Sequence, residues 1–251
     1  MAQIYSGAEA ERNTPLTASI EFEKWALGYA GCDGGDIGSP HSPSVWICGI
    51  EWGGSRDPAW LLKHMQEDVQ TPPKGYQSWE ENISYIFNWQ VMKLLAAMRR
   101  YPVSQYKQFA EDEKPFVRDA VGYFKMNLYP IPFRNTNLKH WHVDFTGITG
   151  FSSKNEYIAW NKEKRFLQIS TWVQTCLPKL VICLGITYRE EFASAFSVNK
   201  WEKETIDEKE LHWATNEHGS LVVVVPFMVN RYGLVRNLSI QKFGERIGQL
   251  P

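Results

Sequence analysis

The sequence predicts an α/β fold: one three-layer α/β/α domain around a central, mostly parallel sheet of four to five strands. Three observations carry that expectation. Short apolar runs begin at Val45, Gly122, Leu180 and Leu221, and most are continuous rather than alternating, as in strands buried on both faces. Segments of helical periodicity separate them, the pattern of parallel strands joined by crossover helices. The 251 residues contain no internal repeat and no composition break, so residues 1–251 read as a single domain.

In chain order, residues 1–19 read as a loosely packed lead-in. Glu21 to Ala30 is expected to be helical, because Ile20, Phe22, Trp25 and Ala26 can share a face. The Gly-, Asp- and Pro-rich stretch 31–43 reads as loop. The first strand, from Val45, runs into Glu51, Trp52, Gly53 and Gly54. A carboxylate is thereby delivered to the rim of the sheet, where glycines let the backbone turn and a ligand approach. Asp57 and Pro58 read as an N-cap and a first helical residue, opening a helix through about His64.

Trp79 to Arg100 reads as one long helix with Ile83, Ile86, Phe87, Met92, Leu95 and Met98 inward, and Val103 to Ala120 as a charged surface helix. The second strand, from Gly122, ends near Asn127, and Pro130 and Pro132 prevent ladder pairing beyond it. Residues 135–153 read as a long loop. Asn155 to Thr175 reads as a helix with Ile158, Phe166, Leu167, Ile169 and Val173 inward. Leu180 to Gly185 is the third strand, with a helix from about Thr187. Lys200 to Trp213 suits an exposed hairpin or edge strand. Leu221 to Pro226 is the fourth strand, and Gly233 to Ile247 a closing helix. The ends of the four strands lie side by side in such a sheet, so the loops that follow them can meet at one cleft.

Composition narrows the function classes. Hydrophobic content of 43% and charged content of 22% suit a globular protein with a real core. No apolar run approaches the ~18 residues of a membrane span, and the N-terminus lacks the pattern of a signal peptide. The four cysteines, 32, 48, 176 and 183, form no CxxC and no zinc or iron–sulfur spacing, so neither metal nor cofactor is expected. A reducing, cytoplasmic setting fits. The net charge is −1, yet Ala120–Val143 and Leu221–Gly244 carry Lys125, Arg134, Lys139, Arg231, Arg236 and Lys242 without one acid. Solvated charge usually alternates in sign, so two acid-free segments suggest an anionic partner.

Four motifs in this order resemble the uracil-DNA glycosylase superfamily. Gly49-Ile50-Glu51-Trp52-Gly53 is similar to that family's first motif, a strand followed by Gly-x-acid-or-Asn-Pro-Gly/Tyr. Lys125 to Arg134 (KMNLYPIPFR) resembles the strand ending in an Asn that hydrogen-bonds the flipped base, with Arg134 where some branches carry Arg. Leu180 to Tyr188 (LVICLGITY) is similar to the apolar strand that enters Leu-Gly and a helix. The fourth element departs: VVVVPFMVNRYG has neither the family's His nor its Pro-Ser pair, and Phe227 or its neighbours take the place of the His. Asn230 and Arg231 are the nearest polar replacements. The resemblance spans about 180 residues in element order.

The resemblance implies a DNA glycosylase that flips a damaged or 5-modified pyrimidine from the stack and hydrolyses its N-glycosidic bond. Glu51 then holds water and faces the positive charge that develops on the sugar, and Asn127 reads the base edge. Gly49, Ile50, Trp52, Gly53, Tyr129 and Phe133 are the expected base pocket; Arg134, Asn230, Arg231, Tyr232 and Arg236 the expected DNA contacts. Gly53 aligns with the Tyr by which the strict uracil branch excludes 5-substituted bases, so bulky modified cytosines of phage DNA, and hence antiviral defence, come within reach. The chain is expected to act on DNA as a monomer, without a membrane. Two other classes compete: a non-catalytic module that binds DNA or modified nucleotides, and an unrelated α/β enzyme for phosphorylated small molecules, for which no phosphate-loop glycine pattern speaks.

Overall fold

The computed structural model describes residues 17–54, 57–67, 69–133 and 136–251. Its strands are β1 (Gly34–Gly35), β2 (Val45–Gly49), β3 (Tyr123–Asn127), β4 (Leu180–Leu184), β5 (Glu202–Ile206), β6 (Lys209–Thr215) and β7 (Leu221–Val225). They form one sheet in the order β1-β3-β2-β4-β7-β6-β5. The middle four strands are parallel, with Cys48 beside both Met126 and Cys183, and Cys183 beside Val224. The outer three are antiparallel. The sheet is therefore seven-stranded and mixed, wider than the four to five strands expected. The added width comes from the Lys200–Trp213 hairpin, which pairs onto β7 instead of standing free, and from two glycines that carry no strand signal of their own.

The helices are α1 (Ile20–Leu27), α2 (Pro58–His64), α3 (Trp79–Ser84), α4 (Ile86–Met98), α5 (Tyr106–Glu113), α6 (Asp144–Thr149), α7 (Lys154–Trp160), α8 (Phe166–Cys176), α9 (Arg189–Ala195) and α10 (Asn237–Ile247). The two faces of the sheet feed two cores, as period-two side chains must. Trp46, Cys48, Phe124, Met126, Val181, Cys183, Val222 and Val224 face α1, α7, α8 and α9. Val45, Ile47, Leu180, Ile182, Val223 and Val225 face α4 and α10. Each such side chain, removed from water, contributes roughly 1.5–3 kcal/mol of transfer free energy. Gly244 lets α10 close on α4: a Cβ there would stand 2.4 Å from that of Ala97.

Several expected elements take different bounds. The long helix from Trp79 breaks at Tyr85, whose extended backbone (ψ 128°) ends α3 and starts α4, so Ile86 points outward at 56% exposure. Neither Pro nor Gly marks the break; Asn88, inside α4, donates to the carbonyl of Asn82 across it. The helix expected over 103–120 ends at Glu113, where Lys114 turns left-handed (φ 47°). The 135–153 loop contains α6. The helix expected from Asn155 runs from Lys154 through a π-helical segment, Asn161–Arg165, into α8, with Leu167 exposed rather than inward. The closing helix starts at Asn237, not Gly233. Ile20 is exposed, and Ser19, the last residue of the expected lead-in, is fixed to α6 through Thr149 and Ile148, while residues 1–16 of that lead-in lie outside the described residues. No helix among the described residues is long and apolar enough to cross a membrane.

Candidate active site

Strands β2 and β4 are neighbours, but the chain leaves β2 toward β3 on one side and continues from β4 toward β7 on the other. That reversal is a topological switch point, and in open α/β sheets the crevice outside the carboxyl ends of the strands there receives ligands. A cleft of about 890 Å³ opens at this place, with Gly49, Glu51, Asn127, Leu184 and Gly185 in its wall. Gly185 follows β4 with φ +131°, a backbone angle that side chains disfavour.

Glu51 stands just past the end of β2. Its side chain is 6% exposed, and its Oε2 lies 3.3 Å from Nζ of Lys154, the first residue of α7. Burial pushes the Glu51 carboxyl up to about 7, while the Lys154 ammonium pulls it back toward the ordinary range. Burial likewise lowers the Lys154 amine, and Glu51 opposes that. The ammonium also lies 3.8 Å from the centre of the Phe133 ring, whose face attracts a cation. Ser153 caps α7, its side chain accepting from the Glu156 amide. A lysine at the positive end of a helix opposes the helix dipole, so its seat there is set by Glu51 and Phe133 and not by α7.

Asn127 ends β3, 4% exposed, and donates from Nδ2 to the Gly31 carbonyl at 3.0 Å. Its Oδ1 leans over Gly49, where any Cβ would come within 2.3 Å of it. Glycine at 49 is what permits Asn127 to reach across β2. Behind both residues lies Arg165, fully buried, in the π-helical segment. Its guanidinium donates to five carbonyls, those of Ala26, Gly28, Ala30, Asn127 and Leu128. These bonds tie the segment leading to Gly31 to the end of β3.

A second acid–lysine pair lines the cleft. Lys125, two residues before Asn127 on the same face of β3, puts Nζ 3.1 Å from Oδ1 of Asp33 and 2.7 Å from Oδ1 of Asn88. Asp33 also accepts from the Tyr76 hydroxyl at 2.8 Å and from the Trp52 indole at 3.0 Å. Burial, reinforced by Asp33, pushes the Tyr76 hydroxyl well up, so it stays a donor.

Of the residues expected in the site, Gly49, Ile50, Glu51, Trp52, Gly53, Asn127, Phe133 and Asn230 all line the cleft. Tyr129 does not. It is a core residue, packed on Tyr157 and Phe166, and forms no part of the cleft wall. Arg231, Tyr232 and Arg236 are exposed and stand outside the wall, while Phe227, Val229 and Asn230 of the same loop enter it. Arg134 lies outside the described residues. Sequence reading missed Lys154, Asp33, Tyr76 and Asn88. For Lys154 the available signal was a cation directly after a Ser N-cap. Among the described residues, no group of three or more His, Cys, Asp or Glu could hold a metal ion.

No protein-family model matches the chain, and no curated protein matches it either.

Proposed function

We propose that the protein is a DNA glycosylase that takes a flipped, 5-modified pyrimidine into this cleft and hydrolyses its N-glycosidic bond. The observation that carries the reading is Glu51: a buried carboxylate at the switch point, titrating near neutrality and seated against one lysine. As a carboxylate it can accept a proton from the attacking water and face the cationic sugar of the transition state. Lys154, behind it, favours the charged form that this role requires. Asn127 offers its carbonyl oxygen to the base edge, its amide being held by Gly31. Trp52, Phe133, Tyr188 and Phe227 supply aromatic walls for an unstacked base. A Cβ built on Gly53 meets no described residue within 4 Å, and that open space supports tolerance of substituents at the base's 5-position.

The test is alkali-sensitive strand breakage in duplexes carrying uracil, a thymine mismatch, 5-hydroxymethylcytosine or its glucosylated form. Glu51→Gln should reduce base release at least ~100-fold while DNA binding survives. Unchanged single-turnover release in that variant removes Glu51 from the mechanism. Rapid excision of uracil alone, with every 5-substituted base refused, returns the protein to ordinary uracil repair. A second reading, a module that binds modified nucleotides without cutting them, is favoured by the fourth motif, where Phe227 or its neighbours stand in place of the resembled family's His and the phenyl ring offers a leaving base no hydrogen bond. Salt-dependent binding without any base release would select it.

A further inference from the structure

We infer that the half of the cleft remote from Glu51 is a subsite for a neutral, hydroxyl-bearing substituent on the base, formed by Asp33, Tyr76, Asn88 and Lys125. The inference rests on the glycosylase reading for the identity of the base; the subsite itself is carried by separate observations. The first is room. A cleft of about 890 Å³ falls near the top of the ~300–1,000 Å³ range that encloses whole drug-sized ligands, far more than one pyrimidine ring fills. The second is placement. Lys125 pairs in register with Ile47, two residues short of the end of β2, so it stands about 7 Å behind that end at ~3.3 Å per residue, whereas Glu51 lies two residues beyond it. Asn127 lies between them. A base read by Asn127 with its sugar at Glu51 therefore projects its far edge toward Lys125.

The third observation is chemistry. A buried ion pair is often no more stabilising than apolar side chains of the same volume. Beside Tyr85, Ile86 and Phe87 in the same wall, stability alone gives little reason for a charged pair such as Asp33 and Lys125. The pair is also internally neutral, its charges 3.1 Å apart. A phosphate or a carboxylate would meet no uncompensated charge there. A hydroxyl group, one donor with two acceptor lone pairs, can join a network of carboxylate, ammonium, amide and phenol without disturbing its balance. Hydroxymethyl or hexosyl groups on the 5-position of a pyrimidine have that chemistry. Trp52 joins the two features, since it adjoins the open Gly53 and donates its indole N–H to Asp33.

The experiment compares single-turnover excision from duplexes carrying glucosylated 5-hydroxymethylcytosine and 5-methylcytosine. The ratio of the two rates should fall at least ~10-fold in Lys125→Met and in Tyr76→Phe, the second removing only a hydroxyl, as expected when a recognised polar group loses its partner. An unchanged ratio, or both rates falling by one common factor, overturns the subsite. A parallel titration of the free nucleosides, followed by tryptophan fluorescence, separates this inference from the reading beneath it. Tighter binding of the glucosylated nucleoside in the wild type, lost in Tyr76→Phe, upholds the subsite even if no duplex releases a base. Equal binding of both nucleosides overturns it.

Discussion

Two buried carboxylate–lysine pairs bring their acids to the cleft wall, and they differ in how many partners each acid has. Asp33 receives an ammonium, a phenol and an indole, and its lysine is anchored further by Asn88. Among the described residues Glu51 receives hydrogen bonds from Lys154 alone, and burial drives its carboxyl up to about 7. The same residue types thus make a many-partnered anchor at one end and a carboxyl raised by burial at the other. A carboxylate with few donors in a desolvated place is poised to change protonation near neutral pH.

The comparison breaks first on stability. Lys125→Met leaves the Asp33 charge without its cation and should cost about 3 kcal/mol, the low end for breaking a buried pair, because Tyr76 and Trp52 still donate. Glu51→Gln should cost less than half of that, since Lys154, its amine already lowered, can shed its proton. Denaturant midpoints of the two variants decide the matter; equal losses would mean that the two pairs are not different in kind.

The next effect sharpens the contrast through pH. In the proposed mechanism Glu51 acts as a carboxylate, so base release should rise through about pH 7. Lys154 holds that value down, and Lys154→Met should move the rising limb upward, lose roughly tenfold at pH 7 and recover near pH 9. Lys154→Arg should keep most of the wild-type profile. A merely structural lysine would lower the plateau and leave the limb in place. Stability carries the opposite sign. A carboxyl whose folded value lies above its ordinary 4.5 binds more protons folded than unfolded, so its contribution is full below about 4.5 and is lost as pH rises through about 7.

The smallest effect concerns charges outside the cleft. Arg231 and Arg236 are exposed and line no part of the wall. Replacing both with Ala should reduce the slope of log affinity against log salt by about two while sparing base release at saturating DNA. A changed rate at saturation would place one of them in the chemistry beside the two buried pairs.

Most of the parallel strands were legible because they are continuous apolar runs, and α2 because Asp57 and Pro58 spell its start; Asp57 accepts from the Trp60 amide as an N-cap does. Strand β1 was not, since two glycines pair with β3 only through contacts remote in sequence. The break at Tyr85 was hidden because Ile83, Ile86 and Phe87 keep the i, i+3, i+4 spacing of a helix across it. In the site, Glu51 could be found as a carboxylate closing an apolar strand. Its partner could not, being 103 residues away. Lys125 stood out as a cation, but the acid that holds it lies in a loop that reads as punctuation.

Arg165 has a consequence for how the molecule breathes. One guanidinium accepts responsibility for carbonyls from residues 26–30 and from residues 127–128, and it is wholly buried with them. Neither segment can swing away alone without stranding donors inside the protein. Amide exchange at Asn127, whose N–H is bonded to Gly31, is then coupled to opening of the neighbouring loop, and the two behave as one cooperative unit. The asparagine at the end of β3 is held still by a side chain that never meets solvent.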